Sequence, residues 1–182
     1  MILNYQTIID KYYPAASRLR DIYIGHCRSV ANEALMIAER KHLPIDKVMI
    51  EGAAMTHDIG IYATNAPSIA CEGEYPYICH GLIGAELLRK EGAPEEWARV
   101  AERHTGSGLT CEEIVRQRLP LPRADYLPET LFEKLICYAD KFYSKSGSSD
   151  RKRIEDVRAG MARFGADSLA RFDALHDLFG SD

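Results

Sequence analysis

The sequence predicts an all-α fold in which several helices form one bundle. Apolar residues recur every three or four positions in several segments, no alternating pattern of useful length suggests a β-strand, and proline and glycine mark several helix boundaries. A length of 182 residues is enough for one domain with a sizeable core. An apolar content of 46% with 27% charged residues is ordinary for a globular protein.

The first three helices are predicted at 22–41, 46–57 and 80–91. The first is supported by apolar residues at helical spacing, the second leads into the tetrapeptide His57-Asp58-Ile59-Gly60, and the third ends near Gly92. The apolar face of the first helix comprises Val30, Ala34 and Ile37.

Three further segments complete the predicted bundle. The fourth helix opens at Pro94-Glu95-Glu96, which places acidic residues at the positive end of the helix dipole, and it runs to about His104. The fifth spans 129–145, after a proline. A final amphipathic stretch covers 150–179, with breaks expected at Gly160 and Gly165.

Two long connections, 61–79 and 105–128, are rich in glycine and proline. Loops of this length inside a compact domain are usually functional or mobile. Each can be interpreted as a wall or lid of a pocket, or as a plain surface connection.

Bulk properties restrict the partners and the compartment. The net charge of −4 gives no reason to expect a nucleic acid as partner, and no apolar run approaches the roughly 20 residues that cross a bilayer. The N-terminal segment lacks the basic and apolar regions of a signal peptide. Five cysteines without a CxxC motif favour reduced, buried thiols. We therefore expect a cytoplasmic protein without nucleic-acid or membrane partners; the oligomeric state stays open.

Six residues that can bind metal follow one another along the predicted helices. Each is expected on the apolar face of its helix or at the turn that follows. Buried imidazoles and carboxylates are costly unless they are paired, and Asp140 has no obvious basic residue on its own face. A shared metal centre would satisfy the whole set, which comprises His26, His57, Asp58, His80, His104 and Asp140.

This ligand set limits the choice of metal. Nitrogen and oxygen ligands without thiolate favour iron, manganese, cobalt or zinc over magnesium. Six ligands suit two ions better than one, with Asp58 free to bridge them. The identity of the metal stays open.

The ordered pattern resembles the HD superfamily of metal-dependent phosphohydrolases. The motif H…HD…D falls on His26, His57-Asp58 and Asp140, and the two further histidines of two-metal members match His80 and His104. This resemblance implies an HD-domain helical bundle over residues 20–147.

A closer resemblance extends the match to the C-terminus. Segments 102–114, 119–142 and 163–179 resemble a branch of small, stand-alone HDIG proteins of unassigned substrate. We therefore expect one HD domain over residues 1–182, in which 148–182 form a C-terminal amphipathic helical extension packed on the bundle.

The resemblance implies a phosphomonoesterase or phosphodiesterase that uses a metal-activated water on a nucleotide or another small phosphorylated compound. Asp58 would bridge the metals or orient the nucleophile, and Arg103 and Lys141 are candidates for binding phosphate oxygens because each adjoins a presumed ligand. The turn at Thr105 and Gly106 is a further anion-binding candidate or a simple helix cap.

One departure leaves other functions open. Members that cleave cyclic dinucleotides carry a lysine directly after HDIG, and Ile61 occupies that place here. The alternatives are an inactive module that binds metal or nucleotide, and a di-iron oxygenase of the same fold. Substrate and general acid stay undetermined at this stage.

Overall fold

The computed structural model describes residues 4–146 and 150–181, and these form a helical bundle with one small sheet. The helices are α1 (Tyr5–Tyr12), α2 (Arg18–Arg40), α3 (Lys47–Thr56), α4 (His80–Lys90), α5 (Glu95–Arg103), α6 (Cys111–Gln117), α7 (Leu131–Asp140), α8 (Ile154–Ala162) and α9 (Ala166–Phe179). The all-α prediction is confirmed. None of the described helices is long and apolar enough to cross a membrane.

Side-chain caps begin several of these helices where the sequence offers an acceptor. Ser17 accepts a hydrogen bond from the backbone N–H of Arg20 at the start of α2, and Asp46 caps α3. Thr130 does the same for α7. Each cap satisfies a backbone donor that has no partner within the helix.

The centre of the bundle is formed by α2, α3, α5 and α7, whose apolar faces meet in one core. Trp97 of α5 and Tyr23 of α2 are fully buried there. Three of the six predicted ligands lie on α2, α4 and α7, and the other three directly follow the ends of α3 and α5. Helix α4 packs on α5. The core therefore fixes the relative positions of those side chains.

The turn that carries Asp58 is packed against α4. Residues Ile59–Ala63 form a 3-10 helix, and a methyl group at Gly60 would lie 2.2 Å from the carbonyl oxygen of His80. It would also lie 2.5 Å from the backbone nitrogen of Gly84. Only a residue without a side chain allows this approach, so the glycine of HDIG holds the two segments together.

The connection 61–79 contains three short strands that the sequence did not predict. They are β1 (Thr64–Ala66), β2 (Cys71–Glu72) and β3 (Tyr75–Pro76), in the order β2-β1-β3. β1 pairs with β2 antiparallel, Asn65 opposite Glu72, and with β3 parallel, Thr64 opposite Tyr75. Strands of two or three residues are too short to show an alternating pattern.

The C-terminal helices pack on the bundle, as expected for an amphipathic extension. Tyr138 of α7 stacks on Phe172 of α9 with ring centroids 5.8 Å apart, and Phe179 is fully buried. Gly165, at φ 114°, separates α8 from α9. The break predicted at Gly160 is wrong, because this residue lies inside α8 and one glycine costs a helix only about 1 kcal/mol.

Other boundaries also differ from the predicted ones. The fifth predicted helix, 129–145, ends as α7 at Asp140 rather than at 145. The connection 105–128 contains the short helix α6, which begins with a capping box between Thr110 and Glu113. Helix α1 was also not predicted.

Candidate metal centre

The first group of potential ligands comes from α2, the end of α3 and α7. The Nε2 atom of His26 lies 3.1 Å from Oδ2 of Asp58 and 3.0 Å from Oδ1 of Asp140. The Nε2 atom of His57 lies 3.1 Å and 3.4 Å from the same two oxygens. One donor atom from each of these four buried residues lies within 4.8 Å of the others, so they could hold one metal ion.

The second group adds two histidines on the opposite side of Asp58. The Nε2 atoms of His80 and His104 lie 3.4 Å and 3.3 Å from Oδ1 of Asp58, and 3.1 Å from each other. These three residues could hold a second ion. Asp58 therefore belongs to both groups and offers a different oxygen to each.

The backbone orients three of the four imidazole rings. The Nδ1 atoms of His57, His80 and His104 lie 2.7, 2.7 and 2.9 Å from the carbonyl oxygens of Ala54, Tyr77 and Ala101. A carbonyl can only accept a hydrogen bond, so each Nδ1 carries the proton. In the neutral rings, Nε2 then presents a lone pair to Asp58, the arrangement found in metal-binding histidines.

Burial and charge act differently on these side chains. Burial lowers the pKa of His80 to about 3 and also lowers that of His104, which keeps both rings neutral. Burial alone would lower the pKa of His57 too, but the carboxylates of Asp58 and Asp140 outweigh it and raise this pKa. Both carboxylates have pKa values well below the ordinary range, because Lys145, Lys141 and the imidazoles outweigh their burial.

The residues of the site fit a metal better than they fit each other. The lone pairs of His80 and His104 face each other at 3.1 Å, and both face a carboxylate oxygen. Within the described residues, Oδ1 of Asp58 and Nδ1 of His26 are buried without a hydrogen-bond partner. Converging lone pairs repel unless a cation lies between them, so this donor set suits a divalent metal.

Two lysines lie against the carboxylates. Nζ of Lys141 is 2.7 Å from Oδ2 of Asp140 and 2.9 Å from the carbonyl oxygen of His104. The sequence showed no basic residue on the helix face of Asp140, and Lys141 reaches this carboxylate from the C-cap of α7 instead. Nζ of Lys145 is 2.6 Å from Oδ2 of Asp58, and its side chain is largely buried beside Tyr77. Lys145 was missed because the sequence placed it inside the predicted helix 129–145, whereas α7 ends at Asp140 and helical spacing does not apply beyond it.

A cleft of about 360 Å³ opens onto these groups. It gives access to one carboxylate and two histidines of the site and is lined by three lysines. Its wall also includes residues of α8 and the turn before α9. The lining residues are Tyr77, His80, His104, Thr105, Gly106, Asp140, Lys141, Tyr143, Lys145, Lys152, Met161 and Phe164.

A family comparison accounts for the ordered ligand set. The sequence model of the HD domain family matches residues 23–144, a span that contains His26, Asp58 and Asp140. The chain belongs to the HD domain family. This HD domain is of the metal-dependent hydrolase type.

Three known proteins are similar in sequence to most of this chain. Two are tRNA (cytidine(56)-2'-O)-methyltransferases, from Picrophilus torridus, 35% identical over 88% of this chain, and from Thermoplasma volcanium, 29% identical over 86%. The chain spans only 42% and 41% of these two proteins. An uncharacterised protein of Methanocaldococcus jannaschii is 36% identical over 74% of this chain and 72% of its own length. No solved structure is significantly similar.

Arg103 does not take the place that the sequence predicted for it. Its guanidinium lies 2.8 Å from Glu129 and 3.5 Å from Glu133 and donates to the carbonyl oxygen of Leu127, outside the cleft of the HD domain. Adjacent helical residues point about 100° apart, so the neighbour of an inward-facing histidine faces away from the site. Lys141 does line the cleft, because α7 has already ended.

Tyr62 and the basic residues 151–153 lie outside the ligand set. Tyr62 packs against Tyr12 and Tyr13 rather than approaching the ligands. The basic run at 151–153 is only partly a solvated face, since Arg151 pairs with the buried Glu33 and Lys152 lines the cleft.

The two long connections both contribute walls. Tyr77 from 61–79 and Thr105 and Gly106 from 105–128 line the cleft. The interpretation of these loops as pocket walls is therefore confirmed.

Proposed function

We propose that this HD domain hydrolyses a small phosphate ester with the help of two divalent transition metals. The observation that carries the proposal is the pair of buried ligand groups that share Asp58. The ligands are His26, His57, Asp58 and Asp140 for one ion and Asp58, His80 and His104 for the other. Iron, manganese, cobalt and zinc all suit such nitrogen and oxygen donors.

Metal ions bound there would activate a water molecule and withdraw charge from phosphate oxygens. The chain itself supplies the remaining positive charge. Lys141, Lys145 and Lys152 line one cleft, so a phosphate in it would meet up to three ammonium groups. Lys145 takes the role for which the sequence suggested Arg103. Asp58, anchored on both sides, would bridge the ions and keep the nucleophile in line.

Lys145 also bears on the alternative of an inactive binding module. That alternative drew its support from Ile61, which stands where some relatives in the superfamily have a lysine after HDIG. In this fold Ile61 is fully buried in the core, whereas Lys145 places an ammonium group beside Asp58 from the other end of the site. An ammonium group thus lies beside Asp58 although no lysine follows HDIG, which favours an active enzyme.

The names of two relatives raise tRNA as a possible partner. Those names describe methyl transfer to tRNA by the two relatives, and this chain spans only about four tenths of their length. We propose that the HD domain acts on a small compound rather than on tRNA. A net charge of −4 and a cleft of about 360 Å³ favour a small ligand over an extended polyanion.

The test is release of phosphate or alcohol from a panel of phosphomonoesters and phosphodiesters after loading the protein, in the absence of oxygen, with iron, manganese, cobalt or zinc. We expect turnover with at least one metal, and a loss of at least a hundredfold in Asp58→Asn. Asp177→Asn, on the exposed side of α9, is the matched control and should keep wild-type activity.

Two results would contradict the proposal. If Asp58→Asn kept wild-type turnover, the activity would not arise at this centre. If no ester were cleaved but the iron-loaded protein consumed oxygen in the presence of an organic substrate, the di-iron oxygenase alternative would replace the hydrolase.

A further inference from the structure

A second cavity, of about 330 Å³, adjoins the cleft with the lysines. We call it the side chamber. The two cavities are direct neighbours, because five residues line both: Tyr77, His80, Thr105, Gly106 and Phe164. The side chamber is therefore within reach of a molecule whose phosphate lies in the cleft.

The part of the side chamber away from the metal ligands is mainly apolar. Ile78, Leu109 and Leu119 line it, and each is only partly buried in the structure. Phe164, in the turn between α8 and α9, stands where the two cavities meet and leaves 57% of its surface exposed. The exposed phenyl ring and the three partly buried aliphatic side chains favour an apolar or aromatic occupant, which would remove their surface from water.

The charges of the side chamber are already neutralised. Its basic residue, Arg171, pairs with Glu113 at 2.8 Å and donates to the carbonyl oxygen of Gly108. The three lysines of the cleft do not line it. Among the described lining residues of the side chamber, Arg171 is the one lysine or arginine, whereas three lysines line the cleft. This asymmetry disfavours a ligand with charged groups at both ends.

We infer that the side chamber receives the neutral, largely apolar organic group of a phosphate monoester, while the phosphate lies among Lys141, Lys145 and Lys152. A group of one or two rings fits, since cavities of about 300 Å³ and more are typical of small-molecule sites. This inference rests on the proposed function. In the reaction, the water oxygen bonds to phosphorus, the bond from phosphorus to the ester oxygen breaks, and that oxygen leaves with the organic group and takes up a proton.

The experiment compares a bulky ester with a small one on the full chain. The probes are 1-naphthyl phosphate and methyl phosphate, together with 1-naphthylmethylphosphonate, which cannot be hydrolysed and whose binding is measured by calorimetry. Leu119→Trp fills the side chamber, and Leu109→Phe does so less drastically in case the first variant fails to fold. Val115→Trp adds the same ring on the exposed face of α6, outside the side chamber.

In Leu119→Trp we expect kcat/KM for 1-naphthyl phosphate and affinity for the phosphonate to fall roughly tenfold or more, while methyl phosphate changes by less than about twofold. Val115→Trp should match wild type on all three probes. Equal losses on both esters, or unchanged phosphonate affinity in both chamber variants, would overturn the inference.

The outcome separates this inference from the proposed function. If wild type cleaves methyl phosphate but prefers it to 1-naphthyl phosphate, the hydrolase stands and the side chamber is not a binding site for the organic group. If no ester is cleaved but the phosphonate binds and Leu119→Trp weakens it, the side chamber is supported and the proposed reaction is not.

Discussion

Asp58 is the residue that the two candidate ligand groups share. It is fully buried, its two oxygens face different pairs of histidines, and Lys145 holds an ammonium group 2.6 Å from Oδ2. A buried carboxylate without such partners would be strongly destabilising. The two ligand groups can therefore be distinguished by removing a histidine that belongs to only one of them.

His104 provides that distinction. His104→Ala removes a ligand of the second group but leaves the first group intact, so we expect about two metal equivalents in wild type to fall to about one. The measurement is plasma mass spectrometry on protein purified without chelator. Loss of both ions would mean that they bind as one coupled unit, and an unchanged content would remove His104 from the ligand set. Asp177→Asn serves as the control.

Lys145 should affect turnover rather than metal content. Lys145→Met keeps a side chain of similar length but removes its charge. Because a charge-assisted contact contributes about 1.5–3 kcal/mol, we expect kcat/KM to fall roughly ten- to a hundredfold. The metal content should stay at the wild-type level. Lys47→Met, on the exposed start of α3, is the control. Full activity in Lys145→Met would assign the lysine to folding alone.

At the scale of elements, helical periodicity was sufficient to place the ligands but not their neighbours. His26, His80 and Asp140 could be oriented because regular helices put every third or fourth residue on one face. Lys145 and Lys152 lie where no periodicity operates, and their positions depend on how the chain returns after α7. The small sheet and α6 were missed for the same reason, since short elements in loops are specified by tertiary contacts and caps.

The packing of the HDIG turn on α4 gives a prediction at this scale. Gly60→Ala would force a methyl group into the backbone of α4, so we expect a loss of unfolding free energy of about 2–4 kcal/mol and weaker metal binding. Gly25→Ala is the matched control. It lies on α2 next to a presumed ligand, with nothing within 4 Å of the added carbon, and should be neutral or slightly stabilising. Chemical denaturation measures both.

The ion pair between α6 and α9 gives a prediction that depends on pH. Burial alone would raise the pKa of Glu113, but Arg171 and the backbone N–H of Thr110 outweigh it and lower this pKa below its ordinary value of 4.5. Its stabilising contribution is therefore complete above about pH 4.5 and is lost as the pH falls through the folded-state value.

Glu113→Gln tests this linkage. At pH 7 we expect the variant to be less stable than wild type by roughly 1–3 kcal/mol, because Arg171 keeps its charge without its partner. The difference should shrink as the pH falls below 4.5 and Glu113 becomes protonated in wild type. Denaturation curves at several pH values give the measurement, and a difference that did not change with pH would show that the pair is not the cause.

At the scale of the whole molecule, charge and cleft size determine which partners fit. The net charge is −4, and several arginines are already paired with acidic residues on the surface, such as Arg28 with Glu51 and Arg158 with Asp173. We expect no stable complex with tRNA at physiological salt. Electrophoretic mobility shifts with micromolar protein measure tRNA binding. Binding at that concentration would contradict the expectation and would make tRNA, which the names of the two methyltransferases mention, a partner of this chain as well.

The C-terminal helices have a consequence for how such a domain could acquire new substrates. The histidines and carboxylates come from residues 26–140, whereas Lys152, Met161 and Phe164, which shape the cleft, all come from the segment after α7. The six ligands and one wall of the cleft are thus encoded in separate stretches of the chain, while Ile78, Leu109 and Leu119 of the side chamber come from the same stretch as the ligands. Exchanging residues 153–165 between related proteins would alter the cleft at Met161 and Phe164 while leaving the six ligands and Lys152 in place, so this segment is the natural place to change which molecule the cleft accepts.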